Sequence, residues 1–172
     1  NMIVDKNIRP STMYSGDRNA IIIAARSSGY GNAYETSVVC PNCNAKSKQI
    51  FDLDNPEYIE SSPESIEGLT KTDDGFFETK SPTTNYTIKF RLLTGKDEIE
   101  LVSERINKKK TKIAGMTKPF TSQFRKMIVS IEGYSEPEII NRFVDTMMAS
   151  DSHHLRKCYK AVDSTIEIKK HF

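Results

Sequence analysis

Two thiols spaced three apart, Cys40 and Cys43, lie in the stretch YETSVVCPNCNAKSKQIFDL that covers residues 34–53. A Cys-x-x-Cys spacing presents two sulfur ligands to one tetrahedral metal ion, and Pro41 with Asn42 suits the tight turn between them. Zinc takes four ligands, and no second Cys-x-x-Cys occurs in the 172 residues. The pair is therefore half of a zinc ribbon, and Cys40 and Cys43 are the metal-ligand candidates. The bland alternative is a plain turn with two free thiols. A thioredoxin-like redox pair is disfavoured, because the motif does not open a helix after a strand, the setting that lowers a thiol pKa.

The other groups able to do chemistry are few. His153 and His154 are adjacent, so on a helix they point about 100° apart and cannot readily share one ion. An exposed helical face is the simpler account of both, and His171 is a weak candidate on a terminal strand. Cys158 falls on an apolar stripe and reads as a buried small hydrophobe. The basic run at 105–112 offers phosphate contacts but has no interleaved aromatic residue for stacking on bases, and basic side chains at a helix C-terminus are favoured there by the dipole. No Gly-rich phosphate loop, His-Glu-x-x-His or nucleophile elbow occurs, which points away from an enzyme.

The elements that must position these residues follow from patterning. Within residues 34–53 the runs on either side of the knuckle read as strands, the first of them at 35–39. Upstream, residues 1–15 read as an arm, and Asp17 can cap a helix through the apolar residues 20–25 that stops at Gly29. Residues 55–84 are rich in Ser, Pro, Glu, Asp, Thr and Gly, and predict a polar loop or insertion with a short strand at 76–79. Tyr86, Ile88, Phe90 and Leu92 alternate on a strand. The run from Thr94 to Asp97 resembles a capping box opening a helix whose buried stripe is Ile99, Val102 and Ile106. Phe124, Met127, Ile128 and Ile131 predict a helix ended by Gly133. Ile139, Ile140, Phe143 and Met147 predict another after Pro137, and Leu155, Cys158, Tyr159 and Val162 a third, capped by Asp151 or Ser152. Residues 165–172 read as a terminal strand.

The expected fold is thus α+β: a helix-rich C-terminal two-thirds, with the helical part at 94–163, and a small antiparallel sheet carrying the zinc-ribbon-like knuckle. One domain is expected over 16–172, long enough to bury a core of its own. Apolar residues make up 37% and charged residues 28%, and the net charge of +2 is too small to suggest nucleic acid or a membrane as partner by electrostatics alone. No apolar run approaches the roughly 20 residues of a membrane helix, and no secretory leader pattern is seen. The cysteine usage fits a reducing, intracellular setting. Asn1 at the start and the alternating run up to Phe172 raise the expectation of a longer polypeptide.

Several blocks then fall in line with one family. GDRNAIIIAARSSGYGNAYETSVVCPNCNAKSKQIFDL, YTIKFRLLTGKDEIEL, FRKMIVSIEGYSEPEIINRFVDTMMASDSHHLRKCYKAV and STIEIKKHF resemble, in that order, the baseplate hub and hub-assembly proteins of T-even-type contractile-tailed bacteriophages. The resemblance covers most of the chain from Gly16 on, with 55–84 poorly matched. It implies a non-enzymatic tail protein, a hub component or an assembly chaperone, that binds other baseplate or hub proteins. The implied location is the host cytoplasm during assembly and the virion tail baseplate. In such proteins a strand like the terminal one leads into a second Cys-x-x-Cys, so the strand at 35–39 and that at 166–172 would pair or pack. Structural zinc would then clip the two ends together. The insertion and the arm would be contact segments, and self-association is open. A zinc-ribbon module that binds nucleic acid through Lys108–Lys112 is the alternative.

Overall fold

The computed structural model of the chain describes residues 9–40, 42–54, 56–110 and 119–167. Where one domain over 16–172 was expected, the backbone divides into two compact units. One comprises Gly16–Glu60 with the described residues from Ser164 on, and the other comprises Arg9–Ser15 and Ser61–Asp163.

From Gly16 on, α1 (Ser15–Tyr30) belongs to the first unit. Asp17 lies within its first turn, where a carboxylate meets the positive end of the helix, and is not the cap. Gly29 stays helical. The stop comes at Gly31, whose φ of 80° is the left-handed conformation glycine adopts without strain. Its N–H donates to the Ser27 carbonyl at 2.9 Å, closing the last turn. The strands β1 (Ala33–Val39) and β2 (Lys46–Asp52) form an antiparallel hairpin from Ala33 opposite Asp52 to Val39 opposite Lys46. A second pair joins β3 (Glu57–Ile59) to β8 (Thr165–Glu167). The expected pairing of residues 35–39 with the terminal strand is therefore corrected: β1 takes β2 and β8 takes β3. Closing the short knuckle loop costs less chain entropy than closing a loop of more than a hundred residues. Residues 168–172, with His171, lie outside the described residues.

In the second unit, β4 (Thr70–Lys71), β5 (Phe77–Lys80), β6 (Thr87–Phe90) and β7 (Ile128–Ile131) form an antiparallel sheet in that order. Phe77 faces Phe90, Thr79 faces Ile88, and Ile88 faces Ile131, so one face of the sheet is buried. The two phenylalanine rings lie 5.8 Å apart. Residues 55–84 are thus not simply a loop. They supply β3, β4 and β5, and bury Leu69, Phe77, Thr79 and Ser81. Only alternate positions there need be apolar, since the other face of the strands meets water.

Four helices complete this unit: α2 (Gly95–Lys110), α3 (Pro119–Met127), α4 (Pro137–Thr146) and α5 (Ala149–Val162). The capping box at the start of α2 forms, with the Asp97 carboxylate accepting from the Thr94 N–H at 2.8 Å. The stripe expected to be buried on α2 is exposed, with Ile99 at 60%, Val102 at 53% and Ile106 at 49% of full accessibility. Asp97 and Leu101 are buried instead, one turn apart on one face. Arg91, just past the end of β6, grips Asp97, and Ile99, two residues on, must then point about 200° away.

Phe124, Met127, Ile128 and Ile131 are all buried, but not on one helix. The chain leaves α3 at Met127 and enters β7, where β-branched Ile128, Val129 and Ile131 suit a strand and the free edge of β6 supplies hydrogen bonds. A register shift at Lys89/Phe90 lets Ile128 and Ile131, three residues apart, both reach the core. On α4 the buried residues are Ile140, Phe143 and Val144, while Ile139 is 39% exposed and Met147 lies past the helix end. On α5, Leu155, Cys158 and Val162 are buried as expected. Neither Asp151 nor Ser152 caps it, because the helix begins two residues earlier, at Ala149. Helix with small antiparallel sheets is an α+β arrangement. The core draws on the four-stranded sheet as well as on the helices.

Candidate functional site

The knuckle is built by backbone geometry. The Cys40 N–H donates to the Ala45 carbonyl and the Asn44 N–H to the Cys40 carbonyl, both at 2.9 Å, and Asn44 takes a left-handed φ of 55°. Asn is among the few residues that tolerate that conformation. Cys40 is half-buried and Cys43 exposed, and both are free thiols. The backbone N–H of Cys43, then that of Asn42, and the Cys43 thiol point hydrogen bonds at the Cys40 sulfur. They hold its thiol below the ordinary cysteine range, against a smaller upward push from burial. Amides aimed at sulfur favour thiolate, the form that ligates zinc. Among the described residues no group of three or more His, Cys, Asp or Glu side chains is placed to share an ion.

The remaining sequence candidates are accounted for otherwise. His153 is exposed, but His154 is half-buried, which corrects the reading of both as an exposed face. Its Nε2 lies 3.0 Å from Thr79 Oγ1 and 3.4 Å from Cys158 Sγ, so α5 and β5 are joined through a small polar cluster. Burial lowers the His154 pKa, against an upward pull from Asp151. Burial likewise raises the Cys158 thiol, against the smaller effect of Thr79. A buried neutral thiol beside a neutral imidazole is a packed cluster and not an activated nucleophile. Asp151 is fully buried and accepts from the Thr83 N–H at 2.8 Å and the Thr84 hydroxyl at 3.2 Å. The His154–Cys158 spacing of four on one helix is the signal that could have revealed this pair. The side chains of Lys108–Lys110 and all of residues 111–118 lie outside the described residues.

What the second unit does present is apolar surface. The Ile99, Val102 and Ile106 stripe of α2 faces outward. A second patch, invisible in the sequence, is an open groove of about 450 Å³ lined by Tyr86, Tyr134, Ile139, Arg142 and Phe143 among others. No helix among the described residues is long and apolar enough to cross a membrane.

No curated protein and no solved structure matches this chain. The family model for the T4 bacteriophage base plate protein matches residues 1–169, nearly the whole sequence, and the chain belongs to that family.

Proposed function

We propose that this base plate protein performs no chemistry of its own and acts in assembly of the baseplate hub, as a hub component or an assembly chaperone, by binding other baseplate proteins. The observation that carries the reading is apolar surface held out by ordered elements. Ile99, Val102 and Ile106 sit three and four residues apart on one face of α2, each at least 49% exposed. Contiguous apolar surface of this kind is costly in water and marks a contact face. The setting is the host cytoplasm while the tail is built. Cys40 and Cys43 would hold half of a structural zinc site, which when loaded would lock the knuckle; the remaining ligands would come from elsewhere in the polypeptide or from a second copy.

A pull-down of the tagged chain from infected cells, with quantitative mass spectrometry of mature particles, tests this. Recovery of baseplate proteins with the chain also present in particles identifies a hub component. The same recovery with the chain missing from particles identifies a chaperone. Recovery of no baseplate protein overturns the reading.

A further inference from the structure

The groove of the second unit is formed where the β7–α4 connection meets β6. Glu132 and Gly133, with φ of 50° and 83°, make a tight turn closed by hydrogen bonds of 2.9 Å in both directions between Ile131 and Tyr134. Two successive left-handed residues are the signature of a type I′ turn, and this one sets Tyr134 beside the floor of the groove. That floor is Ile131 and Phe143, 4% and 9% exposed, with the Tyr86 ring 6.1 Å from that of Phe143. The walls are Tyr86, Tyr134 and Ile139, which remain 46%, 58% and 39% exposed.

The lining holds two charged residues, and they differ in one respect. Glu132 is already satisfied: its carboxylate accepts from the Thr87 N–H, and that hydrogen bond holds its pKa below the usual carboxylate range. Arg142 is not. Among the described residues it makes no ion pair, Glu138 one turn earlier does not reach it, and Asp145 is bound to Arg125. Two tyrosines and an unpaired arginine around an apolar floor have the composition of an interface anchor site.

We infer that this groove is a docking site for a segment of another protein carrying an aliphatic or aromatic side chain next to a carboxylate. The apolar side chain lies on Phe143 between Tyr86, Tyr134 and Ile139, and the carboxylate pairs with the Arg142 guanidinium. The inference deepens the proposed function, since it rests on the chain working through protein contacts, and it names one contact surface and the chemistry of its partner.

The test is an NMR titration of the whole ¹⁵N-labelled chain with three synthetic peptides: alternating Leu/Phe with Asp/Glu, the same with Lys for the acids, and the same with Ser for the apolar residues. The acidic apolar peptide is expected to shift the amides of Tyr86 and of residues 132–146 and to bind about tenfold more tightly than either control, a difference of about 1.4 kcal/mol. Arg142→Glu, at an exposed helical position, is expected to invert the preference towards the lysine peptide, and Tyr134→Ala to weaken both. No shift at millimolar peptide, equal binding of the acidic and lysine peptides, or shifts confined to other surfaces would overturn the inference. Because only purified chain and peptide are used, failure here leaves baseplate association standing. Loss of baseplate association in the pull-down, conversely, leaves the peptide preference standing.

Discussion

The Asp97 carboxylate accepts hydrogen bonds from both terminal nitrogens of Arg91 at 2.7 and 2.9 Å, and from the N–H and hydroxyl of Thr94 at 2.8 Å each. Burial alone would raise its pKa. The Arg91 hydrogen bonds, the Thr94 contacts and the Arg91 charge outweigh that and bring it to about 2, from 3.8. A carboxylate depressed in the folded state contributes stability above its unfolded pKa and loses it as pH falls through the folded one. His154 acts at a higher pH: its folded pKa lies below 6.5, so acid charges the unfolded chain first and penalises the fold as pH drops beneath that value. Denaturation midpoints measured from pH 7 to pH 2 are therefore expected to fall in two windows, below 6.5 and between 3.8 and about 2. The Asp97 window is worth of order 1 kcal/mol after solvent screening. His154→Gln removes the first window, and Asp97→Asn shrinks the second, to which Glu132, Asp74 and Glu100 also contribute, while lowering stability at neutral pH. The cysteines separate as clearly. Iodoacetamide at neutral pH is expected to modify Cys40 and Cys43 and to spare buried Cys158 in the folded chain. Zinc is expected to protect the knuckle pair in the 172-residue chain only at one ion per two chains. Protection of a monomer by one tightly held ion would show further ligands within the same chain.

At the scale of elements, α5 is held by its first turn as well as by its apolar face. Asp151 ties the turn after β5 to α5 through Thr83 and Thr84, with no water access at the carboxylate. Asp151→Ala leaves the Thr83 N–H without its partner and is expected to cost about 1–3 kcal/mol in urea denaturation. A loss within about 0.5 kcal/mol would show that water replaces the carboxylate. The local signals at α5 were legible from apolar spacing because its whole buried face is its own. The hairpin at the knuckle and the Thr94–Asp97 box were legible because they are complete within a few residues. The face that α2 buries was not, since it is set by Arg91, a residue outside the helix. Nor was β7: Phe124, Met127, Ile128 and Ile131 satisfy a helical period, and only the open edge of β6 shows that the last two belong to a strand. The groove escaped notice because Tyr86, Tyr134 and Arg142 come from three separate stretches of the chain.

The whole molecule has an uneven distribution of burial. The apolar core lies in the unit of Ser61–Asp163, whereas Leu53 is the one buried apolar side chain among the described residues of the other unit. Two-stranded hairpins with little buried surface are marginal on their own. Hydrogen exchange is expected to be fast at β1 and β2 amides and slowest at β5, β6 and β7, with opening free energies that differ by several kcal/mol. Uniform protection across both units would contradict this and show a single cooperative fold. A small stable core that displays apolar surface, joined to a thinly buried knuckle unit, suits a protein completed by its neighbours in an assembly. The most direct test of that claim is depletion of this chain during infection, followed by electron microscopy and sedimentation of tail structures. The account predicts missing or incomplete baseplates, restored by the wild-type chain and not by a folded Tyr134→Ala, Arg142→Glu double variant. Complete, normally sedimenting baseplates in its absence would contradict it.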